Sequence, residues 1–173
     1  FIIALMNTLQ FAVLTAFFAL LLAFFVSYLM NQGNIAGSGL IQSLIFLPVV
    51  ISVVPSAIIW KWIYDPQFGI LNYVIGFFGV QPIGWLVDKN YSMMSSIIYG
   101  VWKWMGYYMI IFLVGFSNIP EDYIQSAKID GASSFQILRM IIIPLLVPII
   151  YFATVMATIK GFTIFSEVYV MTS

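Results

Sequence analysis

The sequence predicts an all-α fold, a polytopic transmembrane helix bundle with four spans in 173 residues. Three observations carry that prediction. Hydrophobic residues make up 63% of the chain and charged ones only 7%, against roughly 25% charged in an average soluble domain. No ionised side chain precedes Lys61, a stretch longer than two crossings of a hydrocarbon core that needs about 20 apolar residues per helix. Clusters of Gly, Pro and Asn then divide the apolar runs at spacings that suit membrane crossings.

The same composition removes several classes of function. Lys plus Arg cancel Asp plus Glu, so no basic surface gathers a nucleic-acid backbone. Without Cys or His there are no thiolate nucleophiles, Cys/His metal sites, Ser-His-Asp triads or disulfides. The only adjacent carboxylates, Glu121 and Asp122, stand at a helix start where the helix dipole already accounts for them. An enzyme reading therefore has no residues to rest on. The chain opens on Phe1 with no basic region before its first apolar run, so that run reads as a spanning helix inside a longer polypeptide, not as a removed leader.

Taken in order, residues 3–30 form the first span, apolar on all sides. Within it Ala12, Ala16, Ala19, Ala23 and Ser27 line one face with small residues that permit close helix approach. The Gly-rich run 31–39 opposes helix continuation and reads as a loop. Residues 40–62 form a second span carrying Pro48 and Pro55. Each removes a helix hydrogen bond, so the span is expected to break twice, either lining an internal space or as packing irregularity. Trp60, Trp62 and Tyr64 around Lys61 suggest an interfacial belt, with Lys61 and Asp65 one turn apart and able to pair. In the segment 65–90 the apolar patch 70–78 is too short to span and suits a helix lying in the interface.

The third span, residues 91–116, contains Lys103 between Trp102 and Trp104, roughly 18 Å into a core about 30 Å thick. Lys103 is either an intramembrane functional cation or, if the span begins later, a lysine that snorkels to the interface. With Tyr107 and Tyr108 it forms a candidate set lining an internal cavity. Segment 117–139 is the most polar: Asn118 with Glu121 suggests a capping box, Pro120 suits a first turn, and Gly131 supplies a stop. Ser133 with Gln136 marks a second start, running through Arg139 into a fourth span, residues 141–165, kinked at its entry by Pro144 and Pro148. Lys and Arg counts of the two sides balance and give no orientation.

The run 119–148 resembles the EAA loop of membrane-spanning subunits of binding-protein-dependent ABC importers. The matching pieces are Ile119-Pro120, Gln125-Ser126-Ala127, Asp130-Gly131-Ala132 and Ile143-Pro144, with Gln125-Ser126 where the pattern has Glu-Ala. Asn7-Thr8-Leu9, Leu47-Pro48, Ile59-Trp60, 69–72, Trp85-Leu86, Val101-Trp102 and 169–172 follow in the order of the carbohydrate branch, so the resemblance covers nearly the whole chain. It implies a single permease domain over residues 1–173 in the type I importer permease fold. It also implies that segment 118–140 is cytoplasmic and carries a coupling helix, with Gln125, Ser126, Ala127, Asp130, Gly131 and Ala132 meeting an ATPase. Gln125 can hydrogen-bond there but cannot form an ion pair.

No phosphate-cradling Gly-x-x-x-x-Gly-Lys-Ser/Thr occurs, so ATP and Mg are expected in a partner ATPase and no cofactor on this chain. The resemblance further implies a second permease subunit, a cytoplasmic ABC ATPase dimer, an extracytoplasmic solute-binding protein, and a multi-pass place in the cytoplasmic membrane. A sugar is the implied solute. A polyamine, peptide or anion permease and a non-transporting scaffold stand as alternatives.

Overall fold

The computed structural model describes residues 2–33, 37–163 and 171. Every regular element among them is helical: α1 (Ile2–Gln32), α2 (Ser38–Val50), α3 (Val53–Ile63), α4 (Ile70–Gly76), α5 (Ser92–Ser117), α6 (Glu121–Ile129), α7 (Ser134–Ile137), a π-turn (Leu138–Ile142) and α8 (Ile143–Thr163). Three helical stretches are long and apolar enough to cross a membrane, and α2 with α3 makes a fourth if the bent pair is one span. The loop expected over 31–39 is shorter than that. Asn31 and Gln32 complete α1, and Ser38 already opens α2.

α5 is the central helix, 26 residues and about 39 Å long. It packs against α1, α2 and α8, and α1 also packs on α8. The small-residue face of α1 makes that possible: Ala12, Ala19, Ala23 and Ser27 are buried, and Ala16 is half-buried. With no hydrophobic driving force between helices that lipid tails solvate equally well, close van der Waals approach is what holds them. A Cβ placed on Gly161 of α8 would stand 2.9 Å from both Cα and Cβ of Ala12, so the two backbones meet there. Ser27 adds a bond across the interface, its hydroxyl shared between the carbonyls of Ala23 at 2.6 Å and Met109 of α5 at 2.9 Å.

The second span breaks once, not twice. α2 and α3 meet at 101°, at Ile51 and Ser52. Pro48 is carried inside α2, and Pro55 sits in the first turn of α3, where its missing N–H would have no helical partner anyway. The aromatic belt also divides. Tyr64 is buried, donating to the Ser95 carbonyl at 2.9 Å, and Trp60 stacks inward on Tyr64, Tyr99 and Trp102. Only Trp62 faces outward. Asp65 does not pair with Lys61. Its carboxylate accepts the backbone N–H groups of Gln67 and Phe68, both at 2.8 Å.

Candidate functional site

At one end of α5 the chain builds an elbow. α6 starts on Pro120, with Glu121 and Asp122 in its first turn and Lys128 in its last, each placed as the dipole favours. The capping box expected from Asn118 and Glu121 does not form, because Asn118 ends α5 and Pro120 takes the cap position without a side-chain bond. The stop at Gly131 does form. Gly131 has φ +81°, its N–H bonds to Lys128 at 3.1 Å, and Ala132 N–H reaches back to Ala127 at 2.9 Å. These paired bonds are a Schellman motif, and they require the left-handed residue that glycine adopts without strain.

Immediately after, the Ser133 hydroxyl accepts from Gln136 N–H at 3.3 Å and Gln136 Oε1 accepts from Ser133 N–H at 2.7 Å, the capping box predicted for α7. α7 runs through the π-turn into α8. Pro144 has no N–H to offer Met140, and Ile143 N–H bonds back to Leu138 instead. The elbow is therefore fastened to a spanning helix without an intervening loop.

Of the six residues assigned to coupling, Gln125, Ser126, Asp130 and Gly131 are exposed, whereas Ala127 and Ala132 turn toward the bundle core with Ile124 and Ile137. Gln125 donates to Glu121 Oε1 at 3.1 Å, one turn upstream. Tyr123, Ile129 and Phe135 present apolar side chains outward on the same elbow, Ile129 at 86% exposure. A cavity of about 470 Å³ lies behind it, lined among others by Tyr28, Asn31, Ser117, Glu121, Lys128 and Ser134.

Lys103 is buried, and it neither faces open space nor snorkels. Its ammonium donates to the carbonyl of Pro48 at 2.7 Å and to that of Ile51. Both acceptors belong to the break: Ile51 leaves helical geometry at ψ 131°, and the residue that would have bonded its carbonyl is Pro55. Lys103 thus sits at the C-terminal, negative end of α2 and satisfies its orphaned acceptors. Gly106, one turn on, lets α2 come this close; a Cβ there would lie within 3.0 Å of the backbone of Ile45 and Phe46. Tyr108 is buried in the core, and Tyr107 is half-buried, edge-on to it at 5.5 Å between ring centroids.

A second cation on a spanning helix escaped the sequence reading. Lys160, in the last turn of α8, lies 4.4 Å from the ring centroid of Trp104 and is half-buried. Beside it, the buried Thr15 Oγ1 and Trp104 Nε1 have no hydrogen-bond partner. The pairing could have been suspected from Trp104 and Lys160 both being polar-tipped residues within apolar runs, but nothing in the sequence brings them together. No group of His, Cys, Asp and Glu suited to a metal occurs among the described residues. Apart from Met171, which is buried, the motif piece 169–172 lies outside them.

Apolar spans around a tightly packed central helix, with a capped elbow fixed to the last of them, define a polytopic integral membrane protein. The whole chain, residues 1–173, matches the family of binding-protein-dependent transport system inner membrane components, and it belongs to that family. It is 35% identical over 168 residues to the lactose transport system permease protein LacF of Rhizobium radiobacter, covering 96% of this chain and 56% of LacF. With the trehalose/maltose transport system permease protein MalF of Thermococcus litoralis it shares 28% identity over 165 residues, 95% of this chain and 56% of MalF. The chain thus spans about half the length of these curated relatives. Its fold superposes on the crystal structure of a bacterial ABC transporter involved in the import of the acidic polysaccharide alginate, with a TM-score of 0.87 at 23% identity, over 99% of this chain and 64% of that one.

Proposed function

We propose that this chain is the core of a permease subunit of an ATP-driven ABC importer, moving a sugar or related solute across the cytoplasmic membrane by alternating access. One observation carries the reading: the elbow of α6 and α7 is closed by a Schellman motif and a capping box and continues into α8 without a loop. A push on such an elbow is passed to a span as a rigid-body motion instead of being lost in a flexible connection.

On this reading the elbow is cytoplasmic and seats on one subunit of an ATPase dimer, with Gln125, Ser126, Asp130 and Gly131 at the contact and Tyr123, Ile129 and Phe135 covered by it. Ala127 and Ala132 brace the elbow from the bundle side. ATP and Mg bind to the ATPase, and hydrolysis takes place there. A second permease subunit completes the pore, and an extracytoplasmic binding protein delivers the solute. The path runs past Tyr107, half-buried on α5, with Lys103 and Tyr108 packed behind it. The names of the relatives support a saccharide.

The test is ATP hydrolysis by the complete permease reconstituted in lipid with its ATPase and binding protein, read across a panel of neutral and uronic sugars. Stimulation by a saccharide, lost in Gly131→Val with the complex intact, is the expected result. Stimulation that survives Gly131→Val would overturn the coupling role, and a complex indifferent to every sugar would overturn the solute class.

A further inference from the structure

One side chain ties the two arms of the loop between α3 and α5 together. Asn72, buried in α4, donates from Nδ2 to the carbonyls of Asp65 at 3.4 Å, Pro66 at 3.2 Å and Ile83 at 3.0 Å. Its Oδ1 accepts from Ile83 N–H at 3.1 Å and Trp85 Nε1 at 2.9 Å. Leu71 and Ile75 pack beneath it against Tyr64, Trp85 and their neighbours. These inward positions fix which face of α4 turns outward.

That outward face is entirely apolar. Ile70, Tyr73, Val74, Phe77 and Phe78 recur at the spacing of one helical face, and four of them are 66%, 71%, 73% and 81% exposed, Ile70, Tyr73, Phe77 and Phe78 respectively. Tyr73 and Phe77 stack edge-on at 4.9 Å. No charged residue lies between Asp65 and Asp88, so the surface offers a charged partner nothing to pair with. At seven residues α4 is too short to cross a membrane. Ile58, Ile59 and Trp62 on the adjoining α3 are exposed and apolar as well.

We propose that α4 and the turn after it form an interfacial anchor, seated in the lipid headgroup and acyl boundary at this end of the bundle, with Phe77 and Phe78 deepest. A short amphipathic helix binds such a boundary through its apolar area, and here the Asn72 network fixes its tilt before it meets lipid. The loop is thereby tied to the bilayer surface as well as to the spans. This inference depends on the spans crossing a bilayer and not on the solute or the ATPase.

These 173 residues contain no cysteine, and with any cysteine elsewhere in the complete permease replaced by serine each label is single. Phe77→Cys and, separately, Tyr73→Cys in the complete permease would carry an environment-sensitive fluorophore in nanodiscs, with Lys89→Cys as a water-facing reference. Phospholipids bearing a nitroxide near the headgroup should quench most of the emission at positions 77 and 73 and little at 89, unchanged when the binding protein or the second permease subunit is added. A label at 77 and 73 quenched by aqueous iodide would overturn the proposal. So would labels shielded from both quenchers, or shielded only on adding a protein partner, since either outcome makes the face a protein interface. Using two positions keeps the result readable if one variant folds poorly.

Discussion

The ammonium of Lys103 lies 2.7 Å from the carbonyl oxygen of Pro48, 55 residues earlier in the chain. A proline-interrupted helix leaves acceptors without donors, and inside a membrane no water replaces them. Here a lysine from the neighbouring helix supplies the donor. Burying its charge costs several kcal/mol, which the carbonyls and the end of the α2 dipole offset only while both stay in place.

Lys103→Met therefore leaves the Pro48 and Ile51 carbonyls without this donor, at about 1–3 kcal/mol each, while relieving the burial of the charge. We expect a net loss of stability. Lys103→Gln, a neutral donor, should fall between Met and the wild type in thermal inactivation of the lipid-embedded protein. A Met variant as stable as the wild type would show that the break holds itself.

Gly106→Val should separate α2 from α5, because the backbone of Ile45 and Phe46 cannot yield as a side chain can. Overpacking of this kind costs about 1–3 kcal/mol or more. Gly76→Val is the comparison, as a Cβ at Gly76 meets nothing within 4 Å. Crosslinking between cysteines placed in α2 and α5 should weaken in the first variant and not in the second.

Asn72→Asp is expected to loosen the loop more than its size suggests. It replaces an amide donor with an acceptor facing the carbonyls of Asp65, Pro66 and Ile83. Proteolysis or amide exchange across residues 65–91 should accelerate, while α1, α5 and α8 stay protected.

The N–H groups of Phe68 and Gln67 hold the Asp65 carboxyl below its ordinary range. A depressed folded-state value means that the turn is supported above the unfolded carboxylate pKa, about 3.9, and that the support is lost as pH falls through the lower folded value. Amide exchange at Gln67 and Phe68, taken relative to the intrinsic rate at each pH, should be flat from neutral pH to about 4 and rise below it. Asp65→Asn should show no such rise.

Ser133→Ala removes one half of the capping box and should cost about 1 kcal/mol. The informative readout is solute-stimulated ATP hydrolysis relative to basal turnover. If the elbow couples as proposed, loosening it should lower the stimulated rate and spare the basal one.

Local signals were legible and distant ones were not. The small-residue face of α1, the Gly131 stop and the Ser133 box are each written within a few residues, and each formed. The Asn118 box failed because Pro120 took the cap position, a competition settled by backbone geometry. Lys103 reads as an intramembrane charge from the sequence and Lys160 passes unnoticed, and the partners of both, Pro48, Ile51 and Trp104, are supplied by other helices. Asn72 shows in the sequence only as a break in an apolar patch and as the end of the matched piece 69–72, and its network forms only when Ile83 and Trp85 fold back over it.

The π-turn at Leu138–Ile142 holds one residue more than an α-helical path would. One residue is about 100° of helical phase, so this turn sets the azimuth of the elbow about the α8 axis. Its aim is thus encoded by a residue count, separately from the chemistry of its surface. A single deletion within the turn would leave every span intact and every elbow residue present, yet point them at a different place on whatever the elbow meets.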